Sequence, residues 1–324
     1  MSVEQYLRKV SLTIGGDTGE GLDLSNLRIK FHVQRGDTQT PNTADIRVYN
    51  VSEETAQKVQ KEFDRVILQA GYEGNFGVIF DGTIKQVRRG RESQVDTYLD
   101  ITVADGDSAY NFSVLSLSLA AGQTAPNSAV QEYLKATVGY GVSKGYIPDL
   151  PGNSLPRGKA VYGMTRDEMR KLAHNTDTSW SIQDGKVNMV PLTAYMPGDV
   201  PILTAATGMV GLPEQTQNGI KIKVLLNPNI KIGQAVKIDN KSIQKMRYGL
   251  SLNSQQSQNY FNELAAKLND DGFYYVMVAE HSGDTRGQDY YSNLICLAID
   301  ATVIPTGLLN RSTAPSADSV KRFG

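Results

Sequence analysis

Alternation of apolar and polar residues at every second position is the feature that most constrains how this chain can fold. It runs through residues 27–34, 46–49 and 98–103 in the first third of the chain, and through residues 219–226 and 232–238 in the last third. A period of two places alternate side chains on a buried core and in water, as in antiparallel strands with one solvated face. Both regions are therefore predicted to be antiparallel β-sheet.

Helix signals separate these two β regions. The middle third contains two helical segments, followed by a β-hairpin over residues 179–190. The residues predicted to cap the helices and to form the hairpin turn are Asn127 or Ser128 for the first helix, Thr165 with Glu168 in a capping box for the second, and Asp184-Gly185 for the two-residue turn. The middle third is therefore predicted to be a small α+β module.

The predicted fold class is mainly β with an α+β insert. The predicted segments are 1–106, a first antiparallel β-barrel domain; 107–205, the insert; 206–305, a second antiparallel β-barrel domain; and 306–324, a flexible tail. The two β regions share a plan of strands without obvious sequence identity, which indicates a duplicated barrel.

The charge of the chain is nearly balanced. Its 33 basic and 34 acidic side chains give a formal net charge of −1, whereas a protein that binds nucleic acid stably normally has a basic excess. The basic run at residues 85–91 follows a strand and is interpreted as its solvated end. Residues 1–10 lack the apolar core of a signal peptide, and no segment is apolar for long enough to span a bilayer. We expect a soluble protein, made in a reducing cytoplasm, with no membrane binding of its own.

Motifs for catalysis or ligand binding are missing from the sequence. The single cysteine, Cys296, excludes an internal disulfide and a cysteine-based metal cluster. The three histidines, His32, His174 and His281, have no partner at a metal-ligand spacing. Neither a Gly-x-Ser-x-Gly nucleophile elbow nor a phosphate-binding glycine loop occurs. We therefore predict no enzyme activity, and no catalytic, cofactor-binding or metal-binding residue.

The segment HSGDTRGQDYYSNLICLAID, residues 281–300, is the most enzyme-like part of the chain. In a catalytic interpretation, His281 is a general base oriented by Asp284, and Arg286 holds an anion. These residue types within six positions are what such a loop would need. The same residues also fit a simpler structural role.

In the structural interpretation, the segment is a connection between two strands. Gly283 and Gly287 supply turn conformations, and Asp284 accepts backbone amides in an Asx-type turn. The side chain of Arg286 then pairs with Asp284 or Asp289. Apolar runs on both sides favour this interpretation, because they are typical of strands.

Two long segments also carry a family resemblance. GLPEQTQNGIKIKVLLNPNIKIGQAVKI and GFYYVMVAEHSGDTRGQDYYSNLICLAI resemble the C-terminal region of baseplate hub proteins from contractile-tailed bacteriophages. These hubs are related to the late control D protein group and to the hub part of type VI secretion spikes. The matching positions are Leu226-Asn227-Pro228, Gly233 with Val236, Tyr274-Tyr275-Val276, and His281 with Gly283, Asp284 and Gly287.

The rest of the chain agrees with this resemblance. MTRDEMRKLAHNTDTSWSIQDGKVNMVPL resembles the LysM-like insert of the same hubs, and NTADIRVYNVSEETAQKV with GVIFDGTIKQV resembles the first barrel of phage tube-type proteins. The motifs thus cover most of the length, in the order that the family has. One departure is the stretch 241–271, which is longer than the family pattern requires.

The resemblance implies a structural role in a phage tail. It implies a homotrimer in which each chain carries two tube-like β-barrel domains and a LysM-like module. Such a trimer adapts the sixfold tail tube to the threefold central spike and lines the channel for the tape measure protein and for DNA. The implied partners are further copies of the chain, the spike, a tail tube or tube-initiator protein, the tape measure protein, baseplate wedge proteins and, only transiently, phage DNA.

The implied location is the baseplate of the virion tail, after assembly in the cytoplasm of the host bacterium, and no cofactor is implied. In this reading the turn and interface residues are His281, Gly283, Asp284, Arg286, Gly287 and Pro228. The alternative is a baseplate-associated protein that binds peptidoglycan or hydrolyses the cell wall.

Overall fold

A computed structural model describes residues 7–16, 21–122, 125–216, 219–239, 243 and 272–298. In the first third the elements are β1 Arg8–Gly15, β2 Gly21–Asp23, β3 Ile29–Gly36, β4 Thr43–Tyr49, α1 Glu53–Lys61, β5 Arg65–Tyr72, β6 Asn75–Arg91 and β7 Thr97–Ala104. In the middle third they are α2 Asp107–Phe112, β8 Val114–Leu119, α3 Pro126–Val138, β9 Ser143–Lys144, β10 Lys159–Met164, α4 Thr165–Asn175, β11 Thr178–Gln183 and β12 Lys186–Pro191.

In the last third the elements are β13 Ile202–Leu203, a 3₁₀ turn Ala205–Thr207, β14 Glu214–Thr216, β15 Gly219–Leu225, β16 Ala235–Ile238, β17 Phe273–Asp284 and β18 Tyr290–Ala298. Strands dominate the first and last thirds, and the long helices lie in the middle. The prediction of a mainly β chain with an α+β insert is confirmed.

One sheet of thirteen strands joins the two β regions. Its order is β14-β15-β18-β17-β3-β4-β7-β6-β5-β1-β2, with β16 on a further edge of β17 and β13 on β16. The join is the antiparallel pairing of β17 with β3, from Val278 opposite Gly36 to Asp284 opposite Lys30. The two predicted barrels are thus connected edge to edge within one chain.

Each β region nevertheless has its own hydrophobic core. The first is built from inward-facing side chains of β1 and β3 to β7, such as Leu12, Phe31 and Phe80, and the second from β15 to β18, such as Ile222 and Leu294. These cores bury the apolar set that the alternation predicts. Burial of apolar side chains is the main stabilising contribution to each region.

The two β regions also repeat one strand order. The first reads β3-β4-β7-β6-β5-β1, and the second reads β14-β15-β18-β17-β16-β13, with the strands used in the same chain order. Both contain one long strand with a bulge, β6 between Ile84 and Gln86 and β17 between Val276 and Val278. The pairing of β13 differs, because it is parallel to β16 whereas β1 is antiparallel to β5. The repeated order agrees with the predicted duplication.

The middle third has a third core, which contains Trp180 and Met189 from the β11–β12 hairpin and Met169 from α4. The hairpin turn is Asp184-Gly185, as predicted, and both residues have positive φ angles of 52° and 69°. Two consecutive positive φ angles define a type I′ turn, in which the twist of the backbone matches that of the strands.

The helix caps of the middle third were predicted wrongly. Helix α3 begins at Pro126 with Ala125 as its cap residue, and Asn127 accepts a bond from the Leu150 amide at 2.9 Å instead. Proline suits this position because its missing N–H has no partner in the first turn of a helix.

Helix α4 has Met164 as its cap residue and no capping box. The Thr165 hydroxyl bonds Ser113, and the Glu168 carboxylate bonds Lys171 at 2.6 Å and Lys159 at 2.9 Å. Partners other than the first backbone amides of the helix thus bind both side chains.

The predicted domain boundaries at 106, 205 and 305 remain predictions. The longer stretch 241–271, apart from Ile243, and the tail 306–324 lie outside the described residues. Within the described part of the chain, no helix is long and apolar enough to cross a membrane.

Candidate assembly surfaces and the interdomain junction

The segment predicted to be a connection begins within a strand. His281 to Asp284 are the last four residues of β17, and the connection to β18 is residues 285–289. Because side chains alternate along a strand, His281 faces the core and Asp284 lies on the opposite face. The pair that the catalytic interpretation requires is therefore not formed.

His281 is a buried, neutral side chain. It is 1% exposed, and its Nδ1 atom lies 2.7 Å from the hydroxyl of Ser292 on β18. Burial, together with the positive charges of Arg35 and Lys231, lowers the pKa of His281 to about 3. A general base must reach its substrate, and a residue this buried in a sheet cannot do so.

Asp284 forms the predicted turn but has a different ionic partner. Its Oδ1 atom accepts the amide of Arg286 at 2.9 Å, which confirms the Asx-type turn. Its carboxylate accepts two bonds from the guanidinium of Arg28, at 2.7 and 3.2 Å, and these hold the pKa of Asp284 below its usual value. Neither Asp284 nor Asp289 forms an ion pair with Arg286, so that prediction is wrong. This partner, Arg28, immediately precedes β3, the strand that pairs with β17 at the join.

The two glycines serve as places of close approach. Gly283 lies inside β17, so the prediction that it supplies a turn conformation is wrong, whereas Gly287 lies in the connection and donates its amide to the carbonyl of Asp284 at 3.3 Å, as in a turn. A Cβ atom at Gly283 would lie 2.5 Å from the ring of Phe31 and 2.9 Å from the ring of Tyr290. A Cβ atom at Gly287 would lie 2.8 Å from the Asp284 side chain. Gly283 therefore leaves room for two aromatic rings where the β regions meet.

Tyr290 is the centre of this contact and was missed by the sequence reasoning. Its hydroxyl accepts the Gly71 amide at 3.0 Å and donates to the carbonyl of Lys9 at 2.8 Å, both in the first β region. Its ring packs edge to face with Tyr72 at 5.4 Å and with Phe31 at 6.1 Å between ring centroids. Burial raises the pKa of Tyr290 to about 12, so the hydroxyl stays protonated and able to donate. The only sequence signal for this aromatic contact is the tyrosine pair at residues 290–291.

Pro228 lies at a second contact between the β regions. Its neighbour Asn227 accepts a bond from Asn75 at 3.2 Å, and Asn229 donates to Asn75 at 2.9 Å. A Cβ atom at Gly77 would be 3.4 Å from Pro228, so the proline ring packs on the β5–β6 hairpin. Pro228, which was predicted to be an interface residue, thus lies at a contact between the two β regions of one chain.

A buried polar cluster connects all three regions. Arg35 of β3, 4% exposed, forms an ion pair with Asp184 of the β11–β12 turn at 3.0 Å and bonds Gln183 at 3.2 Å. Lys231 lies 3.7 Å from Asp184 and donates to the carbonyl of Val78 at 3.2 Å. Burial raises the pKa of Asp184, but Arg35 and Lys231 outweigh it, and the pKa is lowered. Removing Asp184 would leave the buried Arg35 without its ionic partner.

Two further carboxylates bind the insert to its neighbours. Asp105 accepts the amides of Asp184 at 2.6 Å and Gly185 at 2.8 Å, and burial raises its pKa to about 6. Asp37 accepts the hydroxyls of Ser179, at 3.0 Å, and of Tyr275. The insert is therefore fixed against both β regions by hydrogen bonds that are protected from water.

The outward face of the joined sheet is polar and nearly balanced in charge. Across five neighbouring strands the register aligns one row of charged residues, Asp284, Lys30, Arg47, Asp100 and Arg88. The next row consists of Ser282, His32, Asp45, Thr102 and Gln86. A shallow groove follows these rows on β3, β4, β6 and β7. Such a face carries no excess of positive charge.

No metal-binding cluster is formed by the described residues. Cys296 is buried in the second core, where burial raises the pKa of its thiol. The chemistry of these surfaces is therefore that of packing and hydrogen bonding between parts of the chain. This arrangement defines a class of mainly β proteins whose barrels join by their sheet edges.

Solved structures of two tail proteins share this fold. No family model and no curated protein matches the sequence. The 43 kDa tail protein of prophage MuSo2 from Shewanella oneidensis matches with a TM-score of 0.55 at 9% identity, over 92% of this chain and 100% of that one. The tail protein of Neisseria meningitidis MC58 matches with a TM-score of 0.55 at 8% identity, over 90% of this chain and 96% of that one.

A chain of the half-lidded Francisella PdpA-VgrG complex also matches, with a TM-score of 0.50 at 8% identity over 93% of this chain and 59% of that one. At these identities the similarity shows a shared fold. The chain thus has the fold of phage tail proteins, in agreement with the family resemblance of its motifs.

Proposed function

We propose that this chain is a structural hub protein of a phage tail baseplate. The observation that carries the proposal is the join of β3 to β17, which connects two β regions of the same strand order edge to edge. Domains that associate by their edges can continue into a ring, and a ring removes the exposed edges that make sheets prone to aggregate. Three copies then provide six such domains.

In this role the homotrimer adapts the sixfold tail tube to the threefold central spike. We propose that the domains are residues 1–106, 107–205 and 206–305, with the α+β insert as a LysM-like structural module. The spike, a tail tube or tube-initiator protein, the tape measure protein and baseplate wedge proteins are its partners, in the tail of the virion. Assembly takes place in the host cytoplasm.

The polar face of the joined sheet is proposed to line the channel. Its two rows contain three cations and three anions, which are Lys30, Arg47 and Arg88 and Asp284, Asp100 and Asp45. DNA binds non-specifically where a surface concentrates positive charge, so a balanced face lets it pass without being held. Charge reversal of Asp45 and Asp100 to lysine should therefore convert a chain that ignores DNA into one that retains it on a DNA column at low salt.

The mass of the full chain in solution tests the proposal. Sedimentation over a range of concentrations, with and without the spike protein, should give a species with three times the mass of one chain. A monomer under all these conditions would contradict the trimeric hub.

We also propose that the chain is not an enzyme, because His281 is buried and neutral. A turbidity assay on purified cell wall should show no clearing with wild-type protein. Clearing that His281→Ala abolishes would instead support the cell-wall hydrolase alternative.

A further inference from the structure

One buried side-chain nitrogen of the described residues has no hydrogen-bond partner. It is the indole Nε1 atom of Trp180, on strand β11 in the core of the insert. Trp180 is 3% exposed, so its N–H group does not reach bulk water. The indole nitrogen only donates, and a buried donor without an acceptor is costly in a folded protein. This N–H group therefore requires an acceptor that the described residues do not supply.

A small cavity lies in the same core, with Trp180 in its wall. The other walls belong to helices α2, α3 and α4 and to the β11–β12 hairpin. The centre of a water molecule has a volume of about 10 Å³ in which to move. A buried water needs about this much room, so the cavity fits one water molecule and no larger ligand.

Two buried hydroxyl groups line the cavity as well. They belong to Thr137 of α3 and Thr165 of α4, which are 5% and 3% exposed. The Thr137 hydroxyl lies 2.8 Å from the carbonyl oxygen of Leu134 and 3.1 Å from that of Val142, so its one proton is directed to these acceptors. The oxygen of Thr137 can therefore still accept a proton from a donor in the cavity.

The Thr165 hydroxyl has the same capacity. It bonds the hydroxyl of Ser113, which lies 3.2 Å from the carbonyl oxygen of Ala136. Because a carbonyl only accepts, the Ser113 proton goes to Ala136 and the Thr165 proton goes to Ser113. The oxygen of Thr165 can then accept a proton from another donor. The cavity wall thus holds one donor, Trp180, and two acceptors.

The two remaining polar side chains of the wall do not take the indole proton. Arg166 has no acceptor atom, and its guanidinium donates to the carbonyl of Tyr110 at 3.2 Å and to Asn111 at 3.1 Å. The ring of Tyr110 stacks on that of Trp180, at 6.4 Å between centroids and an angle of 26°. A stacked ring lies over the indole plane, whereas the N–H bond lies within that plane. A separate molecule is therefore needed between Trp180 and the two threonines.

We propose that the cavity binds one ordered water molecule. The water accepts the proton of Trp180 Nε1 and donates its two protons to the hydroxyl oxygens of Thr137 and Thr165. Three hydrogen bonds are typical of a buried water in a protein. The water connects β11 to α3 and α4, and the site does not depend on the proposed hub role.

This water site lies on the element that fixes the insert to the β regions. The β11–β12 hairpin carries Trp180 in its first strand and Asp184 in its turn, and Asp184 forms the ion pair with Arg35 of β3. A water that binds the hairpin to α3 and α4 therefore also holds the turn in place for that ion pair.

A crystal structure of the full chain, at a resolution that shows ordered water, tests the proposal directly. Electron density for one water is expected about 2.9 Å from Trp180 Nε1 and within hydrogen-bond distance of both threonine hydroxyls. A Trp180 Nε1 atom that bonds a protein atom, or a cavity without density, would overturn the proposal.

The fluorescence of Trp180 tests the site in solution. Trp180 is the only tryptophan of the chain, so excitation selective for tryptophan reports on this site alone. The full-length variant Thr137→Val/Thr165→Val keeps the shape of both side chains but removes the two acceptors, so the water should be lost. The emission maximum should then shift to a shorter wavelength, because an indole without a hydrogen-bond partner emits at higher energy.

Two matched variants control for changes in packing. Thr137→Ser/Thr165→Ser keeps both hydroxyls and should leave the emission maximum at the wild-type wavelength. Thr178→Val removes a buried hydroxyl of the same hairpin outside the cavity wall and should also leave it unchanged. An unshifted emission in the double valine variant, or an equal shift in Thr178→Val, would contradict the water site. If the double valine variant does not fold, the crystal structure of the wild type still decides.

Discussion

The last part of β17 and the last part of β6 hold equivalent positions, but only the first is covered by another strand. The covered edge carries Glu280, His281 and Ser282, with His281 buried and neutral. The open edge carries Arg88, Arg89 and Gly90, with both arginines exposed. On the core-facing side, the covered edge thus carries the neutral His281, whereas the open edge carries the charged Arg89.

The largest difference is expected from a methyl group added at each edge. Gly283→Ala should destabilise the chain by about 3 kcal/mol, because Phe31 and Tyr290 are buried and cannot move away. Gly90→Ala meets only the ring of Tyr98, which is partly exposed and can shift, so the cost should stay below about 1 kcal/mol. Urea unfolding of both variants measures the two losses in unfolding free energy. Equal losses would show that the two edges are equally open.

The pH dependence of stability should depend on the covered edge. The pKa of His281 is lowered to about 3, so the unfolded chain binds its proton first as the pH falls. The stability contributed by neutral His281 is present above about pH 6.5 and is lost as the pH falls toward 3, by about 2 kcal/mol between pH 6.5 and 5. Arg89, the equivalent residue on β6, stays charged throughout this range.

Asp105 opposes this effect and supplies the control. Its pKa is raised to about 6, so the folded chain binds the proton first and gains stability as the pH falls below about 6. In Asp105→Asn the loss from His281 is no longer offset, and unfolding free energy should fall more steeply between pH 7 and 5 than in the wild type. His281→Gln should show the opposite slope. If the unfolding free energies of the wild type and both variants changed with pH in parallel, the roles assigned to His281 and Asp105 would be contradicted.

The hydroxyl of Tyr290 should contribute a smaller amount. Tyr290→Phe keeps the ring against Phe31 and Tyr72 but removes the bonds to Gly71 and Lys9. The expected cost is about 1.5 kcal/mol, as for a buried hydrogen bond whose partners lose their pairing. Thermal unfolding measures it. A neutral effect would mean that the aromatic packing alone maintains this contact.

The smallest effects are expected from the outward charges. Arg28→Gln breaks a partly exposed pair with Asp284 and should cost about 0.5 to 1 kcal/mol. Arg88→Gln should leave the stability of the isolated chain unchanged, since Arg88 has no ion pair among the described residues. Its effect should be seen only in self-association. A loss of monomer stability equal to that of Arg28→Gln would show that the β6 edge is already occupied within one chain.

Local sequence patterns predicted strands well and their partners poorly. The alternation at 219–226 matches β15, and Asp184-Gly185 forms the predicted turn, because both follow from the conformations of neighbouring residues. The pairing of Asp284 with Arg28 could not be predicted in this way, since 256 residues separate them. The sequence pointed to Arg286, the nearest cation in the chain, whereas the fold brings another one closer.

The same limit explains the wrong caps. Thr165 and Glu168 have the spacing of a capping box, but Ser113 and Lys159 bind them from other elements, and Lys171 binds Glu168 from the next turn of the same helix. His281 was predicted to be a turn or interface residue, whereas the structure places it inside β17, buried beside Ser292 of β18. Gly283 was linked with turn conformations, because the closeness of two aromatic rings cannot be read from a single segment.

Amide hydrogen exchange on the full chain tests the central claim most directly. At high dilution, alternate amides of residues 85–91 should exchange fast, while those of Val278 to Asp284 stay protected. As self-association increases with concentration, the amides of residues 86–91 should become protected. An oligomer in which residues 86–91 exchange as fast as in the monomer would contradict the claim that copies of the chain join by their sheet edges.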